Sequence, residues 1–511
     1  MRTLYKNFNW WRTGEPQEML VENGLVAYRG TPQNHEADAV QDLAGITIQP
    51  SFIDNHCHIL PTGLDLLKLH LGVCTTNQEV LDAVRDRLKD VPEGKWLLAV
   101  HYDQTKFGGV FLTRSYLDAI SPSVPILLRH VNGHASVANS AALRSAGIED
   151  NAEDPSGGSY GRFEDGRING VLFESAHERV SQHAPAPSLE EMVDAILLAG
   201  ERMADYGIHC ASDMMTGRFN LLQELEAYQV AASQGCRILT RLYLQWGEVF
   251  KRDGGWRSEE IRHAVQNFPN SLESKIGGIK IFADGAIGSA TAAIYGRYSG
   301  EQAAGYTISR SAKDASDHAP ENLEVSGQLI YTPDRLNDMV HIAHEAGYQL
   351  AIHTIGDYST DLVMDAYEKL DNPKRHRIEH AMLLSDAQIE QMANLGCYCT
   401  MQPEFLMRFG HSYRRQLGPE RTNALERFRS VKDAGIPLSF SSDRPIVQGD
   451  PRDGIEIATN RPDGFDSREN LTLKEAIDAY TVEGARANED QDVMGSLEPG
   501  QVASWIPFAK D

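Results

Sequence analysis

Short apolar runs alternate with longer stretches of helical periodicity through most of the chain. Residues 97–100, 126–130, 238–244, 276–282, 349–353, 377–380, 397–401 and 437–441 are short, apolar and bounded by turn-formers, and so read as strands. Residues 189–206 and 332–346 repeat apolar positions at three- and four-residue spacing and read as helices. Alternation of this kind implies parallel strands joined by crossover helices, so the expected fold is α/β, a (β/α)8 TIM-like barrel. Residues 64–205, rich in Gly, Asp and Ser around 150–170, predict a large insertion.

The two ends follow a different rhythm. An Asn23-Gly24 hairpin signal precedes a short apolar strand, and residues 494–508 have the same turn-and-strand character. Neither piece is large enough to be stable alone. Residues 1–49 and 484–511 are therefore expected to pair into one small β-sandwich, beside a barrel domain spanning 50–483.

Candidate chemistry begins at Ile53-Asp54-Asn55-His56-Cys57-His58-Ile59. On a strand, alternation places His56 and His58 on one face and Cys57 on the other. Two imidazoles on one face supply half of a four-coordinate metal shell. Such a pair also arises by chance, so its weight depends on the rest of the chain. His353, His380 and Asp443 close apolar strands further on, and Lys280 lies inside one. Singly, each has an ordinary reading: a structural histidine, a helix N-cap, a lysine that snorkels to the rim. Yet a charged lysine among apolar strand residues is costly unless neutralised or paired. Barrel chemistry gathers at the C-terminal strand ends, where these polar residues fall in order after the histidine pair.

On Pro50-Ser51-Phe52-Ile53-Asp54-Asn55-His56-Cys57-His58, Asn132-Gly133-His134-Ala135, Lys280-Ile281-Phe282-Ala283-Asp284-Gly285, His353-Thr354-Ile355-Gly356-Asp357, Arg377-Ile378-Glu379-His380 and Ser442-Asp443, the chain resembles the amidohydrolase superfamily. Within it the resemblance is to the YtcJ-like, amidohydrolase-3 branch, over nearly the whole length. It implies that His56 and His58 are ligands of a buried metal. Lys280 matches a strand-four lysine that many members carbamylate, which would turn a cation into a carboxylate bridging two metals. His353 and His380 match ligands of the second metal, and Asp443 a strand-eight aspartate that binds metal and handles the proton. Four imidazoles with two oxygen donors suit Zn2+ and would accept Mn2+, Co2+ or Ni2+. Glu174 is the alternative bridging ligand, ranked behind Lys280 because it lies in the insertion. His134 is expected either to touch substrate and stabilise the oxyanion or to cap a loop. Residues 295–326 are expected to form a mobile lid.

Some residues depart from the branch pattern. Ser51 stands where Gly is usual, Ala503-Ser504-Trp505 replaces Ala-Asp-Leu, and Arg444 follows Asp443 where Trp is common. Arg444 would place a cation at the pocket mouth or form a surface salt bridge.

The activity implied is metal-dependent hydrolysis of a C–N bond in a small non-peptide amide, such as an N-acyl or N-formyl amine. A metal-activated hydroxide would attack, with Asp443 as general base and then acid. Cyclic amide hydrolysis or heterocycle deamination could use the same centre. A non-catalytic metal-binding regulatory protein is the reading from another class, and the presence of Asp443 disfavours it.

Charge narrows the partners. A formal net charge of -24 with a pI near 5.2 argues against nucleic acid or an anionic membrane surface. No apolar run approaches the roughly 18 residues that a spanning helix needs, and the N-terminal residues lack a continuous apolar core of a signal peptide. Six scattered cysteines do not form a small disulfide framework, so a reduced cytoplasm is expected. The partner is expected to be a small-molecule substrate, and the resemblance adds a homodimer.

Overall fold

The computed structural model of the chain describes residues 1–131, 135–155, 158–299, 307–308 and 324–508. It divides into two compact units, one of Met1–Leu60 with Ala199–Asp511 and one of Pro61–Leu198.

The first unit is built on eight parallel strands in chain order: β1 (Phe52–Cys57), β2 (Ile208–Thr216), β3 (Leu239–Gln245), β4 (Ser274–Phe282), β5 (Gln349–Thr354), β6 (Arg377–His380), β7 (Tyr398–Met401) and β8 (Leu438–Phe440). Helices such as Leu221–Ser233, Pro333–Glu345, Asp357–Glu368 and Asp386–Leu395 fill the crossovers. This is the expected TIM-like barrel, nearly closed. Among the described residues no strand ladder joins β8 to β1. The seam is held instead by the residues that follow β8. Asp443 N donates to His56 O (2.6 Å), and His58 N donates to Arg444 O (2.8 Å). Ser442 donates from N and Oγ to the Asp54 carboxylate (3.0 and 2.5 Å). Burial pushes the Asp54 carboxyl up to about 6 despite those bonds.

Two of the eight apolar runs read as strands fall within the expected insertion and lie outside the barrel. Residues 97–100 and 126–130 belong to Leu97–Tyr102 and Ile126–His130 in the second unit. The remaining two barrel strands are β1 and β2. The sequence of β2 hides its nature, because Ser212, Asp213 and Thr216 look like loop residues yet are almost fully buried. Two of them are tolerated because they are bonded: Ser212 Oγ donates to Asn488 Oδ1 (2.9 Å), and Asp213 accepts from Met215 N (2.8 Å) and the Tyr228 hydroxyl.

The second unit carries a mixed six-stranded sheet in the order Gly158–Arg162, Ile168–Glu174, Ala135–Ala138, Ile126–His130, Leu97–Tyr102 and Leu69–His70. Val80, Val84, Leu97, Ala99, Leu128 and Val137 pack in its core. The chain ends meet in a single six-stranded sheet of the first unit, forked at Arg2–Trp10. Thr3–Lys6 pair with Ala39–Asp42, while Asn9 and Trp10 pair with Thr47 and Ile48. From the other end of the chain, Trp505–Pro507 runs antiparallel to Thr47–Pro50, just before β1. Phe8, Trp10, Met19, Val26, Ile48 and Leu497 form its core.

Candidate metal centre

Every residue of β1 is buried, so a charged or polar residue on it needs an internal partner. Cys57 points out of the barrel and donates to Ser212 O (3.3 Å), as alternation from the two histidines requires. His56 points in. Its Nδ1 lies 2.6 Å from Glu379 Oε2, and both residues are almost fully buried. A carboxylate there accepts the Nδ1 proton and leaves the lone pair on Nε2. That atom is 3.2 Å from Lys280 Nζ and 3.5 Å from Asp443 Oδ1. His58 Nε2 approaches the same Oδ1 at 2.9 Å.

His380 is set in the same way by an amide. Its Nδ1 lies 2.7 Å from Gln402 Oε1, which leaves Nε2 as the free donor. His353 differs: its Nε2 donates to Gly285 O (3.0 Å), so the lone pair it offers is on Nδ1. The His353 and His380 rings are 4.5 Å apart, and those of His380 and His56 are 4.7 Å apart. His56, His380 and Asp443 each present a ligand atom within 4.8 Å of the others. His58 joins this group through Asp443, His353 through His380, and Lys280 through His56.

Two of these positions depend on unusual backbone. His380 has φ +73 and Asp443 φ +57, in the left-handed region that costs a non-glycine residue about 1–2 kcal/mol. On β6, Arg377 and Glu379 share the inward face, so a regular strand would turn His380 away. The positive φ brings it back toward His56. Strain of this kind gathers at functional sites, where the surroundings hold it.

Electrostatics favour metal ligation. Burial, reinforced by Lys280, drives His56 well below its usual pKa, and burial with His353 does the same to His380. Burial and Lys280 hold His353 down at about 4. All three imidazoles are neutral at pH 7, the form that ligates. Burial alone would raise Asp443, but the hydrogen bond from His58, with the His56, His58 and His380 rings when protonated, holds its carboxyl below the usual value. Burial lowers Lys280 to about 8, opposed by Glu379 and Asp443. Asp443 Oδ1 and His58 Nδ1 are buried without a well-formed hydrogen bond. Several neutral imidazole lone pairs and one unsatisfied carboxylate oxygen, turned toward one another, fit a borderline divalent cation.

Behind the donors lies a second set of residues that sequence patterning does not reveal. Arg377, fully buried, donates to Glu379 Oε1 (2.7 Å), Tyr243 Oη (2.9 Å), Asn488 Oδ1 (3.0 Å) and Asn55 O (2.7 Å). Asp284 accepts from Ala293 N, Ile355 N, Gly356 N and Ser359 Oγ at 2.6–3.0 Å, tying the loop after β4 to the loop after β5. One signal was present: Arg377 and Glu379, two apart on a short apolar strand, must face each other inward. Gln402 carried none.

Arg444 corrects one expectation. It is 5% exposed and, among the described residues, has no carboxylate within ion-pair distance, so it is not a surface salt bridge. Its guanidinium lies 5.3 Å over the Tyr206 ring. Glu174 closes Ile168–Glu174 in the second unit with φ +51. His134, with Asn132 and Gly133, lies outside the described residues, as does most of the expected lid at 295–326.

The chain is similar to known proteins over most of its length. The Amidohydrolase family model Amidohydro_3 matches residues 39–510. Protein LONG AFTER FAR-RED 3 of Arabidopsis thaliana is 28% identical, over 96% of this chain and 85% of its own. The Bacillus subtilis (strain 168) putative amidohydrolase YtcJ is 27% identical, over 97% and 92%. The N-substituted formamide deformylase of Arthrobacter pascens is 27% identical, over 97% and 90%. An uncharacterized metal-dependent hydrolase from Pyrococcus horikoshii OT3 shares the fold at a TM-score of 0.79 and 23% identity, covering 100% of this chain and 98% of its own. With a match that runs from the first sheet through all eight barrel strands to the last, the chain belongs to the Amidohydrolase family.

Proposed function

We propose that the protein is a metal-dependent hydrolase that cleaves the C–N bond of a small non-peptide amide, such as an N-acyl or N-formyl amine. The observation that carries this reading is Asp443: a buried, ionised carboxylate within 2.9 and 3.5 Å of two imidazole nitrogens of the His56/His58 pair. Membership of the family supports hydrolysis, and the formamide deformylase relative supports an amide.

His56, His58, His353, His380 and Asp443 would hold one or two ions, Zn2+ first, with Mn2+, Co2+ or Ni2+ as substitutes. When bound, the metal supplies Lewis acidity for the carbonyl and lowers the pKa of water toward neutrality. Asp443 takes the proton of the attacking water and returns it to the leaving nitrogen as the C–N bond breaks. Glu379 and Gln402 hold His56 and His380 in the tautomers that ligate. His134 is assigned to the developing oxyanion. The lowered pKa of Lys280 leaves part of its amine unprotonated near neutrality. That amine would attack carbon dioxide, form an N–C bond and lose a proton, and the resulting carbamate would add an anionic oxygen donor to the residues that hold the metal. Six cysteines that form no disulfide support a reduced, cytoplasmic setting, and among the described residues no helix is long and apolar enough to cross a membrane. The acidic charge supports a small-molecule partner in place of nucleic acid, and the protein pairs as a homodimer.

Elemental analysis of freshly purified wild type and Lys280→Ala, each assayed on a panel of N-acyl and N-formyl amines, tests the reading. Two metals per chain in wild type, falling together with activity in the variant, is the expected result. Turnover of ring substrates alone would move the assignment to a cyclic amidase or deaminase. Absence of any amide turnover by the metal-loaded protein would overturn it.

A further inference from the structure

Lys251, Arg252, Arg257 and Arg335 line a recess of about 540 Å3 over a floor that includes Trp246 and Phe250. No carboxylate lines it, in a chain with 72 acidic against 48 basic residues. Its volume lies within the range of small-molecule sites, and none of its lining residues is a donor of the metal centre.

Arg335 and Arg257 are held by their side chains, and the backbone that carries Lys251 and Arg252 is held by its turn. Trp246, the first residue after β3, donates from Nε1 to Met339 O (3.0 Å) on the helix Pro333–Glu345. Arg335, in the first turn of that helix, stacks its guanidinium 4.6 Å over the Trp246 ring and donates to Arg252 O (2.8 Å). Lys251 and Arg252 sit on a turn closed by Lys251 N to Gly255 O (2.7 Å), Gly254 N to Lys251 O (3.0 Å) and the Phe250–Trp256 bridge. Gly254, at φ +89, seats this turn against Ile342 of the same helix; a Cβ there would lie 3.1 Å from the Ile342 side chain. Arg257 donates to Gly247 O and to Glu248 Oε1 (3.2 Å).

The nearby acids leave the recess positive. Glu248 offsets one charge through Arg257. Asp253 accepts from Gly255 N (3.1 Å), and Asp334 lies in the first turn of the helix beside Arg335. Neither Lys251 nor Arg252 forms an ion pair among the described residues. Holding four cations beside three acids leaves repulsion that an anion would relieve, and the Arg335 guanidinium, fixed by stacking, loses little entropy on binding one. We infer that this recess binds a small organic polyanion, a phosphate- or carboxylate-bearing molecule with two or more negative charges.

The probes are phenyl phosphate and phthalate, both dianions at pH 8, with benzyl alcohol as the uncharged control, titrated calorimetrically into the full-length protein. At least one dianion should bind at a single saturable site, and more weakly as sodium chloride is raised, whereas benzyl alcohol should not bind. Loss of charged hydrogen bonds should raise its Kd about tenfold or more in Lys251→Gln/Arg252→Gln and in Arg335→Gln. Binding of phenyl phosphate alone identifies a phosphate ligand, and of phthalate alone a carboxylate. Because Arg335 also packs on Trp246, the deciding comparison is wild type against the double variant, whose two substituted side chains are exposed. No saturable binding of either dianion, or an unchanged Kd in the double variant, overturns the inference.

Discussion

Glu379 accepts from His56 on one side and from Arg377 on the other, in a site closed to water. Glu379→Gln therefore loses the charge that opposes Arg377 and one of the two acceptor oxygens, so that His56 Nδ1–H or Arg377 Nε–H is left facing an amide N–H. Metal affinity is expected to fall about 10–100-fold, with a loss of roughly 3–5 kcal/mol in stability; metal titration and denaturant unfolding read the two effects separately. Asp443→Asn should keep the fold and lose about 10²–10⁴ in kcat, and equal amide turnover by variant and wild type would refute the proton role. Glu404 offers a pH test away from the metal donors. Burial pushes it from 4.5 up to about 7, and its Oε1 has no hydrogen bond. Its folded pKa lies above its unfolded one, so stability is fullest below about 4.5 and is lost as pH rises through about 7, at most about 3 kcal/mol. Glu404→Gln removes that slope. The unfolding temperature of the variant should gain on wild type between pH 5 and 8, and a constant difference would sink the idea. His56 and His58 were legible in the sequence because strand alternation is local, and Lys280 because an apolar strand seldom tolerates a cation. The hydrogen bonds that set His56 and His380 were not, since Glu379 and Gln402 reach them across strands. Nor could the positive φ of His380 and Asp443 be read from residues that carry side chains.

Among the elements, the barrel was legible from alternation alone, whereas the identity of its strands was not. β2 is lined with bonded polar residues that mimic a loop, and Leu97–Tyr102 and Ile126–His130, equally apolar, build another sheet. Apolar pattern reports that a strand is buried, and says nothing about which sheet buries it. The helix Pro333–Glu345 was readable from both its period and its start, where Thr332 accepts from Arg335 N (3.3 Å) and Pro333 opens the first turn. Loop contacts escape such rules. Gly356, at the start of Asp357–Glu368, packs so closely that a Cβ would lie 1.8 Å from Ala293 O. Gly356→Ala must part the loops that follow β4 and β5, next to His353. A cost of about 1–3 kcal/mol and reduced metal occupancy are expected, measured by thermal unfolding and elemental analysis.

For the whole molecule, Trp505–Pro507 stands as the outer partner of the segment that feeds β1. Removing residues 504–511 should strip that edge and the Trp505 contact with Tyr5, at a cost of about 2–3 kcal/mol in denaturant unfolding. The seam between β1 and the end of β8 has a larger consequence. The same short segments, His56 to His58 and Ser442 to Arg444, supply both the metal donors and the bonds that close the cylinder. A cation held by His56, His58 and Asp443 would act as a clasp, and its dissociation would be coupled to an opening of the wall. Measured affinity then contains the equilibrium between clasped and parted forms, and chelation should loosen one edge before the body melts. Hydrogen exchange would show it: the amides of His58 and Asp443 should exchange faster after chelation while those between β3 and β4 keep their protection. Uniform protection in both states would mean that the wall stands without its ion.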